Sequence, residues 1–278
     1  MRLSASIAVS LSALLCVCVP LAAEDAVSQA PADAAAQAGE SAPQHRDILK
    51  RAEEALAQAQ AIQADIRLEV FYPAHYASTI DLLADPSGDE RAEMETTVNS
   101  DSYKSIEVIS NGILWSEQDT PAGKMVTKID VSSIKKSLRK TEGSVFAALP
   151  ILGTNALFDL TAMSHLVDFT ESAQSSLDGV AVYVLTGRLA AKFADGKATL
   201  PAGAERYYRQ VAVYIDADGF FPRRIELGSE NGKPLVALDF LFVRKNVSVP
   251  EGAFSYSPPE DAQVVDATDW ALSKLTGD

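Results

Sequence analysis

The sequence has 278 residues, enough for one large domain or two modest ones. Its composition, 47% hydrophobic and 22% charged, is that of a folded globular chain and excludes collagen, coiled coil and wholesale disorder. With 24 basic residues against 38 acidic ones the formal charge is -14, a field that repels phosphate backbones and disfavours nucleic acid as a partner.

Met1-Arg2 gives a short positive start. Leu3 to Val19 is apolar or small without a charge, and Pro20-Leu21-Ala22-Ala23 supplies small residues before Glu24-Asp25. This is the order and length of a secretory signal peptide over residues 1–23. Its removal would take Cys16 and Cys18, the only cysteines, leaving an exported chain without a disulfide, a thiolate metal site or a cysteine nucleophile. Leu15 and Val17 precede those cysteines, which does not fit lipidation. Residues 24–44 are rich in Ala, Pro and Gln, with Val27 the only large aliphatic, and cannot bury enough apolar surface to offset ordering: a disordered linker.

Residues 45–278 read as a single domain. Ile48, Leu49, Ala52, Ala55, Leu56, Ala59 and Ile62 recur at helical spacing and predict an amphipathic helix. Ile66, Leu68 and Val70 alternate with charged residues, the pattern of a half-buried strand. Pro73, Pro86 and Gly88 mark 72–92 as a loop. Strands are expected at 93–99, 103–109, 112–117 and 124–129, with Asn111-Gly112 a hairpin signal. Val131–Arg139, Val145–Leu149, Asn155–Leu160 and Met163–Leu166 read as short helical pieces broken by Gly143, Pro150 and Gly153. Strands return at Val180–Leu189, Tyr207–Asp216, Phe220–Gly228 and Pro234–Val243, joined by turns at Asp216-Ala217-Asp218-Gly219 and Glu230-Asn231-Gly232. The expected class is α+β: a long curved antiparallel sheet with helices on one face.

No nucleophile elbow, phosphate loop, dinucleotide fingerprint or zinc-protease motif occurs. His45, His75 and His165 are too scattered for a metal pair. The Asp216–Gly219 segment has its glycine too early for a calcium loop and reads as a hairpin turn. The sequence therefore predicts no enzyme, no metal and no cofactor. It does put many apolar residues on strands. Val236, Leu238, Phe240 and Phe242 share one expected face, as do Tyr207, Val211, Val213 and Ile215, and Ile113 and Trp115 lie after the first hairpin. Such faces make either an ordinary core or a lined cavity.

The C-terminal stretch Val213-Tyr214-Ile215-Asp216, Gly219, Pro222-Arg223-Arg224-Ile225-Glu226-Leu227, Gly232-Lys233, and then Phe254-Ser255-Tyr256-Ser257-Pro258-Pro259, resembles the LolA-like family of periplasmic lipoprotein carriers and their relatives. Asn111-Gly112-Ile113-Leu114-Trp115 is similar to that family's hairpin element, and the opening helix from residue 46 falls in the expected place. The resemblance spans most of 46–268. It implies an unclosed β-barrel, a half-barrel capped by helices, around a hydrophobic cavity for acyl chains, in the periplasm. The family's arginine-bearing stretch between early strands is absent: the matching region is Val98-Asn99-Ser100-Asp101-Ser102-Tyr103-Lys104. The expected function is a non-catalytic carrier of an acyl chain, lipid or lipoprotein, with Leu68, Val70, Trp115, Val213, Ile215, Phe240 and Phe242 lining the cavity and Leu157 and Phe158 as lid. The alternative is a regulatory or scaffolding module that uses the same fold for envelope protein partners.

Overall fold

A computed structural model describes residues 45–71, 75–98, 100–120, 123–138, 167–189 and 209–276. The signal peptide, the linker, the helical pieces expected between 145 and 166, and therefore Leu157 and Phe158, lie outside the described residues.

Helix α1 (His45–Ala57) opens the fold, with Ile48, Leu49 and Ala52 buried. It ends five residues before the Ile62 expected to extend it. Ile62 instead starts β1 (Ile62–Val70). There follow β2 (Tyr76–Ala84), β3 (Glu90–Val98), β4 (Asp101–Ser110), β5 (Ile113–Thr120), β6 (Gly123–Asp130) and α2 (Val131–Leu138). After them come β7 (Val167–Leu177), β8 (Val180–Leu189), β9 (Gln210–Asp216), β10 (Pro222–Gly228), β11 (Pro234–Lys245), β12 (Gln263–Asp266) and α3 (Thr268–Thr276). All twelve strands join one sheet in the order β12-β6-β5-β4-β3-β2-β1-β11-β10-β9-β8-β7. The sheet is open, and every pairing is antiparallel except that of β12 with β6.

The loop expected over 72–92 is largely strand. In β2, Ser78, Ile80, Leu82 and Ala84 are buried in alternation, and the prolines and glycine that suggested a loop lie outside the strand's two ends. Edge strand β7 carries mostly polar residues and so gives no period-two signal, although Asp178-Gly179 makes the same positive-φ hairpin turn with β8 as Asn111-Gly112 makes between β4 and β5.

Pairing partners fix which side chains share a face. Leu68 sits opposite Leu238, Leu238 opposite Ile225, and Ile225 opposite Val213. These residues, with Ile66, Ile80, Leu82 and Met94, form one buried cluster with α1, so their side of the sheet is the inner face. A second cluster, from Ile109, Leu114 and Ile129 with Val131, Ile134 and Ala271, packs α2 and α3 on the same face near the β12 edge. The described helices thus all lie on one side.

Close backbone approach is built in at Gly187 of β8, opposite Phe169 where β7 bulges. A Cβ there would fall 2.5 Å from the Asp168 carbonyl oxygen and 2.8 Å from the Phe169 Cα. Backbone cannot step aside as a side chain can. Gly187→Ala is expected to cost about 1–3 kcal/mol, read as a lowered thermal midpoint; an unchanged midpoint would contradict this packing.

Candidate ligand site on the sheet

Of the seven expected lining residues that are described, five lie together. Leu68, Val70, Val213, Ile215 and Phe240 are all buried in the α1 cluster, with Ile48, Leu49 and Ala52 among their neighbours. They form a packed apolar surface against the helix.

Trp115 and Phe242 do not share that face. Trp115 pairs with Val108, whereas the inner-face row runs through Ile109 and Leu114. Its ring lies 5.7 Å from that of Tyr256, and the Lys128 ammonium sits 5.8 Å from the indole centroid. The Tyr256 hydroxyl donates to Glu117 Oε2 at 2.7 Å. The two stretches that carry the LolA-like resemblance therefore meet on the outer face. For Phe242 the reason is a bulge: Ile66 pairs with Phe240 but the preceding Asp65 pairs with Phe242, so Leu241 is the extra residue. Beyond it the alternation inverts. Phe240 is 2% exposed and Phe242 53%, with the Arg244 guanidinium 5.4 Å from the Phe242 ring.

On the outer face a cleft of about 450 Å³ is lined by Asp65, Asp81, Glu93, Lys104, Glu117 and Lys124, among others, and by Leu241. Lys124 donates to Glu117 and, at 2.9 Å, to Asp119. Burial alone would raise the Glu117 pKa, but the hydrogen bonds from Lys124 and Tyr256 and the Lys124 charge hold it below the usual carboxylate range. Ile66, Ile80, Met94 and Ile106 line it as well, so the cleft combines apolar side chains with a charged rim.

The inner face also carries buried polar groups. Ser78 and Thr96 share a hydrogen bond of 2.7 Å across β2 and β3. Glu107 of β4 faces Ser116 of β5, and both are buried. Neither Glu107 Oε1 nor Ser116 Oγ has a hydrogen-bond partner. Burial pushes the Glu107 carboxyl up to about 7, only partly offset by the nearby Ser116 hydroxyl. Sequence reading missed this pair because Glu107 stands between Ile106 and Val108, which suggests an outward carboxylate; Trp115 and Tyr256 make the outer face apolar there too. Among the described residues no group of three His, Cys, Asp or Glu could hold a metal.

No protein-family model matches the sequence, and no curated protein is significantly similar to it. Solved structures match in fold. An uncharacterized conserved protein from Thermus thermophilus matches with a TM-score of 0.51 at 16% identity, over 80% of this chain and 98% of that one. A LolA superfamily protein from Nitrosomonas europaea matches with a TM-score of 0.31 at 14% identity, over 76% of this chain and 97% of that one. MucB of Pseudomonas aeruginosa, in its complex with MucA, matches at 15% identity and a TM-score of 0.40, and the match spans 60% of that chain against 76% of this one. At 16% identity the likeness to the Thermus protein is one of fold.

Proposed function

We propose that this chain is an exported, non-catalytic binding protein that shelters an acyl chain, free or on a lipid or lipoprotein, between the inner face of its sheet and the helices that cap it. The observation that carries this reading is the open sheet whose apolar inner face shares one buried cluster with α1. An unclosed sheet can admit a chain from its open side along the inner face, without breaking a strand ladder.

Leu68, Val70, Val213, Ile215 and Phe240 belong to the same buried cluster as Ile48, Leu49 and Ala52 of α1, so an acyl chain would take the place of apolar side chains such as the helix's own. Exposing Ile48, Leu49 and Leu56 costs about 5–9 kcal/mol at about 1.5–3 kcal/mol each. Burying about ten methylenes returns about 8 kcal/mol. The two are of one size, so α1 can give way to a ligand at little net cost. Export to the periplasm rests on residues 1–23, and the absence of catalysis on the missing motifs.

An environment-sensitive apolar dye should brighten saturably with the purified protein and be displaced by C16 lipids. Flat fluorescence from a folded sample would reject the carrier reading. It would favour a module for protein contacts, for which the exposed Leu241 and Phe242 at the bulge are the specific surface.

A further inference from the structure

The inner-face row through the α1 cluster continues past it. Ala64 of β1 pairs with Leu82 of β2, Leu82 with Ala92 of β3, Ala92 with Glu107 of β4, and Glu107 with Ser116 of β5. Leu82 belongs to the apolar cluster, and Glu107 stands two strands further on, about 10 Å away at the usual strand spacing. Ala92 between them contributes only a methyl group, so the row is shallow where it leaves the apolar floor. Beyond it Glu107 Oε1 and Ser116 Oγ, both buried, face each other across β4 and β5 without closing a hydrogen bond, and the row goes on to Thr127 of β6. A native interior rarely leaves such atoms orphaned, and those that persist mark a missing water, ion or ligand group. Water would satisfy them, and so would the polar head of a chain lying on the apolar floor beside them.

We infer that Glu107 and Ser116 form the polar end of the acyl-chain site and bind the hydrogen-bond-donating head of the ligand, an amide N–H or a hydroxyl. A carboxyl oxygen and a hydroxyl oxygen both accept, and the hydroxyl can also donate to a carbonyl beside that head. Where Glu107 is ionised, a head without a donor leaves its Oε1 unpaired in a buried place, which is the larger part of the discrimination. This rests on the acyl-chain reading above and names the ligand class within it: chains with donor heads over simple esters.

The test is competition for a bound apolar dye by two C16 probes, hexadecanamide and methyl hexadecanoate. The wild-type protein should prefer the amide by about tenfold, the worth of one buried hydrogen bond. In Glu107→Leu with Ser116→Ala the preference should fall to within about twofold with ester binding retained, and Ser116→Ala alone, the milder change, should remove part of it. Circular dichroism checks that each variant folds. Equal competition in the wild type, or a preference that survives both variants, overturns the inference while leaving the carrier reading in place. Dye that binds to no form of the protein removes both.

Discussion

Phe240→Ala should destabilise the fold by about 3–5 kcal/mol, whereas Phe242→Ala, two positions along the same strand, should cost about 1 kcal/mol or less. Without the bulge at Leu241 the two rings would point the same way and the two costs would be similar. With it, Phe240 pairs with Ile66 inside the α1 cluster, and its truncation leaves a cavity that closely packed neighbours cannot fill. Phe242 pairs with Asp65 on the solvent side and loses mainly its contact with Arg244. Urea denaturation of the two variants against wild type gives the comparison directly. Equal losses would mean that β1 and β11 pair without the register shift.

The second large effect comes from Glu107. Its folded carboxyl titrates at about 7 rather than the ordinary 4.5, so between those values the folded state keeps a proton that the unfolded chain has released. Stability therefore falls as pH rises through the window and stays low above it, by about 3 kcal/mol in all. Cross-strand neighbours Ala92 and Ser116 bring no cation to offset this, and Glu90, also buried on that face of β3, adds none. Glu107→Gln removes the titration. The variant should exceed wild type by under about 1 kcal/mol at pH 5 and by about 3 kcal/mol at pH 8. Asp216 and Asp239 are buried enough to raise their pKa, yet hydrogen bonds more than reverse this. Gly219 and Arg223 hold Asp216 below the usual range, and Arg224 and Arg67 hold Asp239 there. Their stabilisation is lost only as pH falls below about 4, a separate window that both proteins share. A gain that is the same at pH 5 and pH 8 would show that Glu107 is not the buried, unpaired acid described.

Local signals in the sequence located most strands. Val180–Leu189 coincides with β8, and Asn111-Gly112 and the Asp216 turn lie where turn chemistry puts them, the latter with Asp216 Oδ1 accepting from the Asp218 and Gly219 amides. The misses share a cause: each depends on what lies across the sheet. β2 was hidden by prolines and a glycine that end strands as readily as they make loops. β7 is polar because an edge strand needs little burial. The bulge at Leu241 leaves no trace in a run where residues 240–243 are all apolar, so the face of Phe242 could not be read from parity alone. Glu107 and Ser116 were invisible for the complementary reason, since both faces of β4 are covered there and alternation no longer separates inside from outside.

The ladder between β1 and β11 has a consequence for how the molecule assembles. Strands β1 to β6 each pair with the next in sequence, as do β7 to β11 in turn, and only the match of residues 62–70 with 236–245 welds the two runs into one sheet. On the outer face Asp239 clamps that weld, accepting hydrogen bonds from Arg67 at 2.9 Å and from Arg224. More than 160 residues must emerge between the first strand and its mate. Loop closure over such a span is slow. A nascent chain would accordingly form its first strands as separable hairpins and zip the sheet shut only once β11 is available.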